Sequence, residues 1–171
     1  MADKKPAISG AAIVEAIKKS GIEMVVSVPD RVTSESVLRR VASDSQLKLV
    51  RVCKEDEGLS ICAAMAACDK RALMLMQCTG LLDSVNALRA CGVEFSQPLV
   101  MMVGLLGHES EEDPANSPLY GVRIVPRVMT AMDVDFDVLH SAGDEARIVP
   151  AINRAYEKNA PLVLFIGRSP T

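Results

Sequence analysis

Tryptophan is absent from this 171-residue chain, and tyrosine and phenylalanine contribute only two and three residues. Packing therefore falls to aliphatic side chains and to nine methionines, whose flexible thioethers fill irregular gaps. Charge of one sign is also lacking: 19 basic against 22 acidic residues leave a net charge of −3, and no run of Lys and Arg exceeds two residues. That balance argues against a nucleic-acid face, which needs a concentrated basic patch. No stretch approaches the roughly 18 apolar residues of a membrane span, and residues 1–9 lack the apolar core of a signal peptide. Neither membrane nor secretion is expected. The five cysteines, Cys53, Cys62, Cys68, Cys78 and Cys91, are odd in number and never spaced C-x-x-C. A reduced, cytoplasmic compartment suits them, and Cys78 reads first as an inert small hydrophobe. A glycine-rich phosphate cradle is missing as well, since VPDRVTSE, after the first expected strand, holds no glycine.

What remains is 49% hydrophobic and 24% charged, the composition of a globular protein, at a length that makes residues 1–171 one domain. Residues 9–19 carry an apolar stripe at Ala12, Ile13, Ala16 and Ile17, so they read as an amphipathic helix that Gly21 stops. Residues 22–28 form a β-branched run closed by Pro29. A helix follows to about residue 42, capped by Thr33 or Ser34, and residues 47–52 make a second strand. Further strands are expected at 72–76, 98–103, 136–140 and 162–166, with helices at 58–68, 81–90, 125–132 and 145–159. Strands that are continuously rather than alternately apolar are covered on both faces. Regular alternation of strand and helix then predicts an α/β, three-layer, doubly wound fold with a six-stranded, mostly parallel sheet. The one long connection, 104–123, contains His108, and loops of that length in compact domains are usually functional or disordered.

The most informative stretch is CKEDEGLSICAAMAACDKRALMLMQCTGLLDSVNAL. Asp56 and Glu57 read as first-turn acids favoured by the helix dipole. Glu55 lies one step closer to the end of the preceding strand, where open α/β sheets place ligands. A carboxylate there, partly desolvated, is suited to exchanging a proton. The helix that follows, GLSICAAMAAC, has no polar face and is expected to be covered on all sides, by the chain's own core or by a partner.

KEDEGLSICAAMAA, MQCTGLLDSVNAL, VVSVPD and the terminal PLVLFIGR together resemble the pyrimidine-binding domain of thiamine diphosphate enzymes. Within that group they are most similar to the alpha subunits of sulfopyruvate decarboxylases and the corresponding half of phosphonopyruvate decarboxylases. The resemblance implies that Glu55 is catalytic, hydrogen-bonding ring nitrogen N1′ of the aminopyrimidine and so promoting loss of the thiazolium C2 proton to form the ylide. It further implies that Pro29, Gln77, Thr79 and Gly80 line the cofactor with Glu55, and that Asp30, Arg31, Asn86 and His108 face a 2-oxoacid. Read without it, Thr79 is equally a helix N-cap, Asn86 a structural hydrogen bonder, His108 a solvated side chain and His140 structural. Asp30 replaces the small residue usual after the V-P of relatives, and Pro114-Ala115-Asn116-Ser117 stands where decarboxylase relatives carry P-Q-H; Arg31 or Arg123 would compensate by pairing with a sulfonate or phosphonate.

Members of the resembled family bind the diphosphate through Mg²⁺ held by a G-D-G motif, which this sequence lacks; Gly143-Asp144-Glu145 comes nearest and looks like a helix start. No metal ligand is therefore expected from this chain. A beta subunit carrying the other half-site is implied, in a hetero-oligomer of alpha/beta pairs. The alternatives are a phosphonopyruvate decarboxylase or carboligase subunit, and a non-catalytic α/β binding or regulatory domain. A degenerate regulatory relative would be expected to have lost the acid at position 55, which is present.

Overall fold

A computed structural model describes residues 5–171; part of the N-terminal reading, residues 1–4, lies outside them. Six strands form one sheet: β1 Met24–Ser27, β2 Lys48–Arg51, β3 Ala72–Gln77, β4 Val100–Gly104, β5 Asp135–Leu139 and β6 Leu162–Ile166. The order is β2-β1-β3-β4-β6-β5, and every pairing is parallel rather than most of them. Burial follows from composition. All five residues of β4 and of β6 are buried, as are the first five of β3, whereas the edge strands β2 and β5 expose charged residues such as Lys48, Arg51 and Asp135. Charge on an edge strand discourages pairing with another sheet.

The helical elements are α1 Gly10–Lys19; a π-helical turn Ser34–Leu38 that continues as α2 Arg39–Ser43; α3 Glu55–Ala67; α4 Cys78–Asp83; α5 Val85–Ala87, which runs into a second π-helical turn, Leu88–Glu94; α6 Tyr120–Ala131; and α7 Ile148–Lys158. They divide into two layers because successive strand residues point to opposite faces. Leu73, Leu75, Val100, Met102, Leu162 and Leu164 meet the layer of α1, α2 and α7, where Ile13, Ile17, Leu38, Val41 and Ile152 are buried. Met74, Met76, Met101, Val103, Val163 and Phe165 meet the layer of α3, α4 and α6, where Leu59, Cys62, Leu81, Val125 and Met129 are buried. The methionines thus concentrate on one face. Gly58 lets one of them in close, since a Cβ there would lie 2.5 Å from the Met74 sulfur.

Several boundaries differ from expectation, three helix starts among them. α3 begins at Glu55 itself rather than at residue 58, because the acids form its first turn. α4 begins at Cys78, directly off β3. α6 begins at Tyr120 and carries Pro126 in its interior, so the proline costs one backbone hydrogen bond without ending the helix, and the long connection shortens to residues 105–119. Within it, Asp113 caps a 3₁₀ turn, Pro114–Asn116, accepting from the Ala115 amide at 2.9 Å.

The expectation for α3 needs a larger correction. The chain buries only Gly58, Leu59 and Cys62 of this helix. Ser60, Ala64 and Ala67 are exposed, with Ile61 and Met65 half-covered beside them. Among the described residues no layer covers the outer face of α3, so burial in the chain's own core does not account for its missing polar face.

Candidate functional site

In this strand order the chain leaves β1 toward β2 on one side and returns to β3 on the other, which opens a crevice beyond the C-terminal ends of β1 and β3. The residues singled out from the sequence gather mostly around that rim. From β2 the backbone turns through Lys54 into α3. Glu57 folds back to accept the Cys53 amide at 3.2 Å, and Asp56 accepts the Glu57 amide at 2.9 Å while pairing with Lys54. Asp56 and then Asp83 hold the Lys54 ammonium above its ordinary range. Both acids thus do the local work expected at a helix N-terminus.

Glu55 does something else. Its half-buried side chain lies directly on Gly80 in the first turn of α4, so close that a Cβ on Gly80 would collide with the carboxylate. Among the described residues its carboxylate has neither a hydrogen bond nor an ion pair. Just before this turn, the Gln77 Nε2 donates to Thr79 Oγ1 at 2.7 Å, and the Gln77 Oε1 is buried without a donor. Thr79 sits inside the first turn of α4, with Gln77 at the N-cap position, so the N-cap reading of Thr79 does not hold. Cys78 is buried beneath this turn, as an inert residue would be, and burial pushes the Cys62 thiol of the same layer up to about 12.

The loop after β1 reaches across the rim. Pro29 and Arg31 are exposed. Asp30 is spent on the loop itself: its Oδ1 accepts the Val32 and Thr33 amides at 2.6 and 2.7 Å, and its Oδ2 accepts the Thr33 hydroxyl at 2.5 Å. Val32 then packs over the end of β4, where a Cβ on Gly104 would lie 2.6 Å from the Val32 Cβ. Among the described residues Arg31 has no hydrogen-bond or ion-pair partner. Asn86 lies elsewhere, exposed on α5, accepting from Arg89 at 3.1 and 3.2 Å.

His108 corrects the reading of a solvated side chain. It is 5% exposed, and its Nε2 donates to the Glu112 carbonyl at 3.1 Å. Its ring lies 6.2 Å from that of His140, which follows β5 and packs closely against Gly167 after β6. Only the β4-β6-β5 order brings these residues together, and no local motif announces it. The segment is tied down by Glu111, which accepts from Ser141 and Arg168, and by Glu109, which accepts from Ser169.

Burial, with His108 second, holds the His140 imidazole below its usual range, while Asp144, Ser110 and Glu111 pull the other way. The folded chain therefore prefers neutral His140. Its contribution to stability is present above the unfolded value near 6.5 and is lost as pH falls toward the lower folded value. Urea midpoints measured at pH 7.5 and 5.5 are expected to fall more for the parent than for His140→Asn, and equal falls would remove this account.

No protein-family model matches the sequence. The sulfopyruvate decarboxylase alpha subunit of Methanothermobacter thermautotrophicus is 34% identical over 111 residues, 65% of this chain and 67% of that protein. The chain belongs to the sulfopyruvate decarboxylase alpha-subunit family. The Methanocaldococcus jannaschii alpha subunit is 29% identical over 108 residues, and the match spans 63% of its length. A longer protein of Methanosarcina acetivorans, named sulfopyruvate decarboxylase, matches 91% of this chain at 26% identity but only 39% of itself. A solved structure described as a split-gene transketolase, an inactive beta4 tetramer, aligns with 95% of this chain and 50% of its own at a TM-score of 0.57 and 16% identity. That likeness shows the α/β fold alone.

Proposed function

We propose that this chain is the pyrimidine-binding subunit of a heteromeric, thiamine diphosphate-dependent decarboxylase that converts sulfopyruvate to sulfoacetaldehyde and carbon dioxide. The observation that carries the reading is the Glu55 carboxylate, half-buried, without a partner among the described residues and pressed on Gly80 at the end of the sheet where ligands bind. The names of the similar alpha subunits supply the substrate.

The residues present fit the cofactor's aminopyrimidine. A partnerless carboxylate and the orphaned Gln77 Oε1 are two acceptors awaiting N–H donors, and an aminopyrimidine offers an exocyclic amine and a protonated ring nitrogen. Glu55 holds the proton at N1′, Gln77 is oriented by Thr79, and Pro29 and Gly80 form the walls. Thiamine diphosphate, when bound, supplies the electron sink for decarboxylation. Arg31 is the cation suited to a sulfonate, on a loop that Asp30 fixes, and the buried His108 closes the far side of the rim. Asn86, bonded to Arg89, contributes through α5 rather than by contact.

Among the described residues no group of three or more His, Cys, Asp or Glu side chains is disposed to hold a metal. In this reading a beta subunit brings the Mg²⁺ and diphosphate half-site and seats on the exposed face of α3. The cytoplasm is the compartment the free cysteines favour. Among the described residues no helix is long and apolar enough to cross a membrane.

The test is affinity purification of the tagged chain from its native host, with mass spectrometry of what accompanies it. We expect a companion of similar size carrying G-D-G, and decarboxylation of sulfopyruvate by the pair but not by either chain alone. Phosphonopyruvate serves as the competing substrate. A chain that self-assembles without such a companion, or that binds thiamine diphosphate and Mg²⁺ at micromolar concentration by itself, would overturn the half-site reading.

A further inference from the structure

A second concavity opens at the same end of the sheet on the other layer. It has a volume of about 340 Å³ and lies between the end of β2 and the π-helical turn, lined by Pro29, Ser34, Glu35, Leu38, Arg39 and Arg51. Strand alternation explains the placement. Val50 and Val52 pack with the α3 layer and Leu49 with the α1/α2 layer, so Arg51 emerges on the α2 side. The π turn explains the rest. Its i→i−5 hydrogen bond, from the Arg39 amide to the Ser34 carbonyl, stacks Ser34 over Arg39 so that both face the cleft. Single π turns of this kind occur frequently at functional sites.

The chemistry of the lining is specific. Among the described residues the Arg51 guanidinium has no hydrogen-bond or ion-pair partner. Among the described residues the Arg39 guanidinium pairs only with Glu35, 3.0 Å away on the surface, with both side chains largely exposed at 73% and 76%. Such a pair is readily exchanged for a better one. The Ser34 hydroxyl accepts the Asp30 amide at 3.0 Å, so its own proton is available to donate. Leu38 provides an apolar wall. Two guanidiniums and a hydroxyl donor facing one cleft, against a single carboxylate, are the groups a tetrahedral oxyanion requires.

We propose that the cleft between Arg51 and the Ser34–Arg39 turn binds a small tetrahedral oxyanion, with Arg39 leaving Glu35 to join Arg51 on the ligand. The anion comes either from a sulfonate-bearing acid or from free sulfate or phosphate. Only the first of these assignments rests on the proposed decarboxylase function; the anion site does not.

The test is titration of the ¹⁵N-labelled full chain with sodium sulfate, with sodium chloride at matched ionic strength as the control, following the amides of Ser34, Arg39 and Arg51. Sulfate is expected to give saturable shifts at these amides and chloride none. Arg51→Gln should weaken sulfate binding by about tenfold, the scale of one charged hydrogen-bonding group. Glu35→Gln should tighten it by about threefold or more, because it frees Arg39 and removes the opposing charge. A gain of affinity cannot arise from damaged folding. Equal responses to sulfate and chloride, or parental affinity in both variants, would overturn the proposal. Sulfopyruvate binding more tightly than sulfate, and losing that margin in Arg51→Gln, assigns the cleft to the organic acid; equal binding assigns it to the free oxyanion. Neither arm needs the cofactor or the partner, so a failed decarboxylase assay and a failed anion titration remain separate results.

Discussion

Glu55→Gln is expected to leave fold and assembly intact while slowing proton exchange at C2 of bound thiamine diphosphate by about 10²–10⁴-fold, the range for loss of a positioned acid–base group. The substitution is nearly isosteric, so the amide fits against Gly80 where the carboxylate does, and no partner among the described residues is deserted. Only the capacity to share a proton with N1′ is removed. Exchange followed by deuterium loss, in the complex with its partner, isolates that step from substrate binding. Parental exchange in the variant would sink the assignment of Glu55, whatever happens to turnover.

The sheet was legible because β3, β4 and β6 are apolar at almost every position, which only a strand buried on both faces tolerates. The position of Glu55 at the rim of the sheet was legible because it stands between a finished strand and a helix. Its contact with Gly80 was not, since two loops separated by a strand and a helix must converge to make it. The same limit hid His108. Its local company of acids argues for solvent, and only the return of β5 and β6 beside β4 buries it near His140. Asp30 shows the reverse case: the resemblance directs it at a substrate, while its carboxylate bonds within its own loop to Val32 and Thr33. Start positions failed where chemistry at a helix end outweighed pattern, as with the acids that open α3.

The second large effect concerns the face of α3 that the chain leaves open. Ser60, Ala64 and Ala67 recur at helical spacing and are exposed, with the apolar Ile61 and Met65 beside them. Small side chains let a second helix approach closely, at the short end of the usual interaxial range of about 8–10 Å. Ala64→Glu is therefore expected to abolish copurification of the beta subunit, and with it activity, while the isolated chain keeps its circular dichroism spectrum and urea midpoint. The isolated chain tolerates the change because position 64 meets water there. In the complex the carboxylate would be stripped of water without a partner, at a cost of several kcal/mol, and each 1.4 kcal/mol is about tenfold in affinity. Ala64→Ser, which adds one hydroxyl in place of a charge, should retain the partner and so separates burial of charge from mere alteration of the surface. If Ala64→Glu copurifies with its companion as the parent does, α3 is not the seat of the second half-site, and its apolar face needs another explanation.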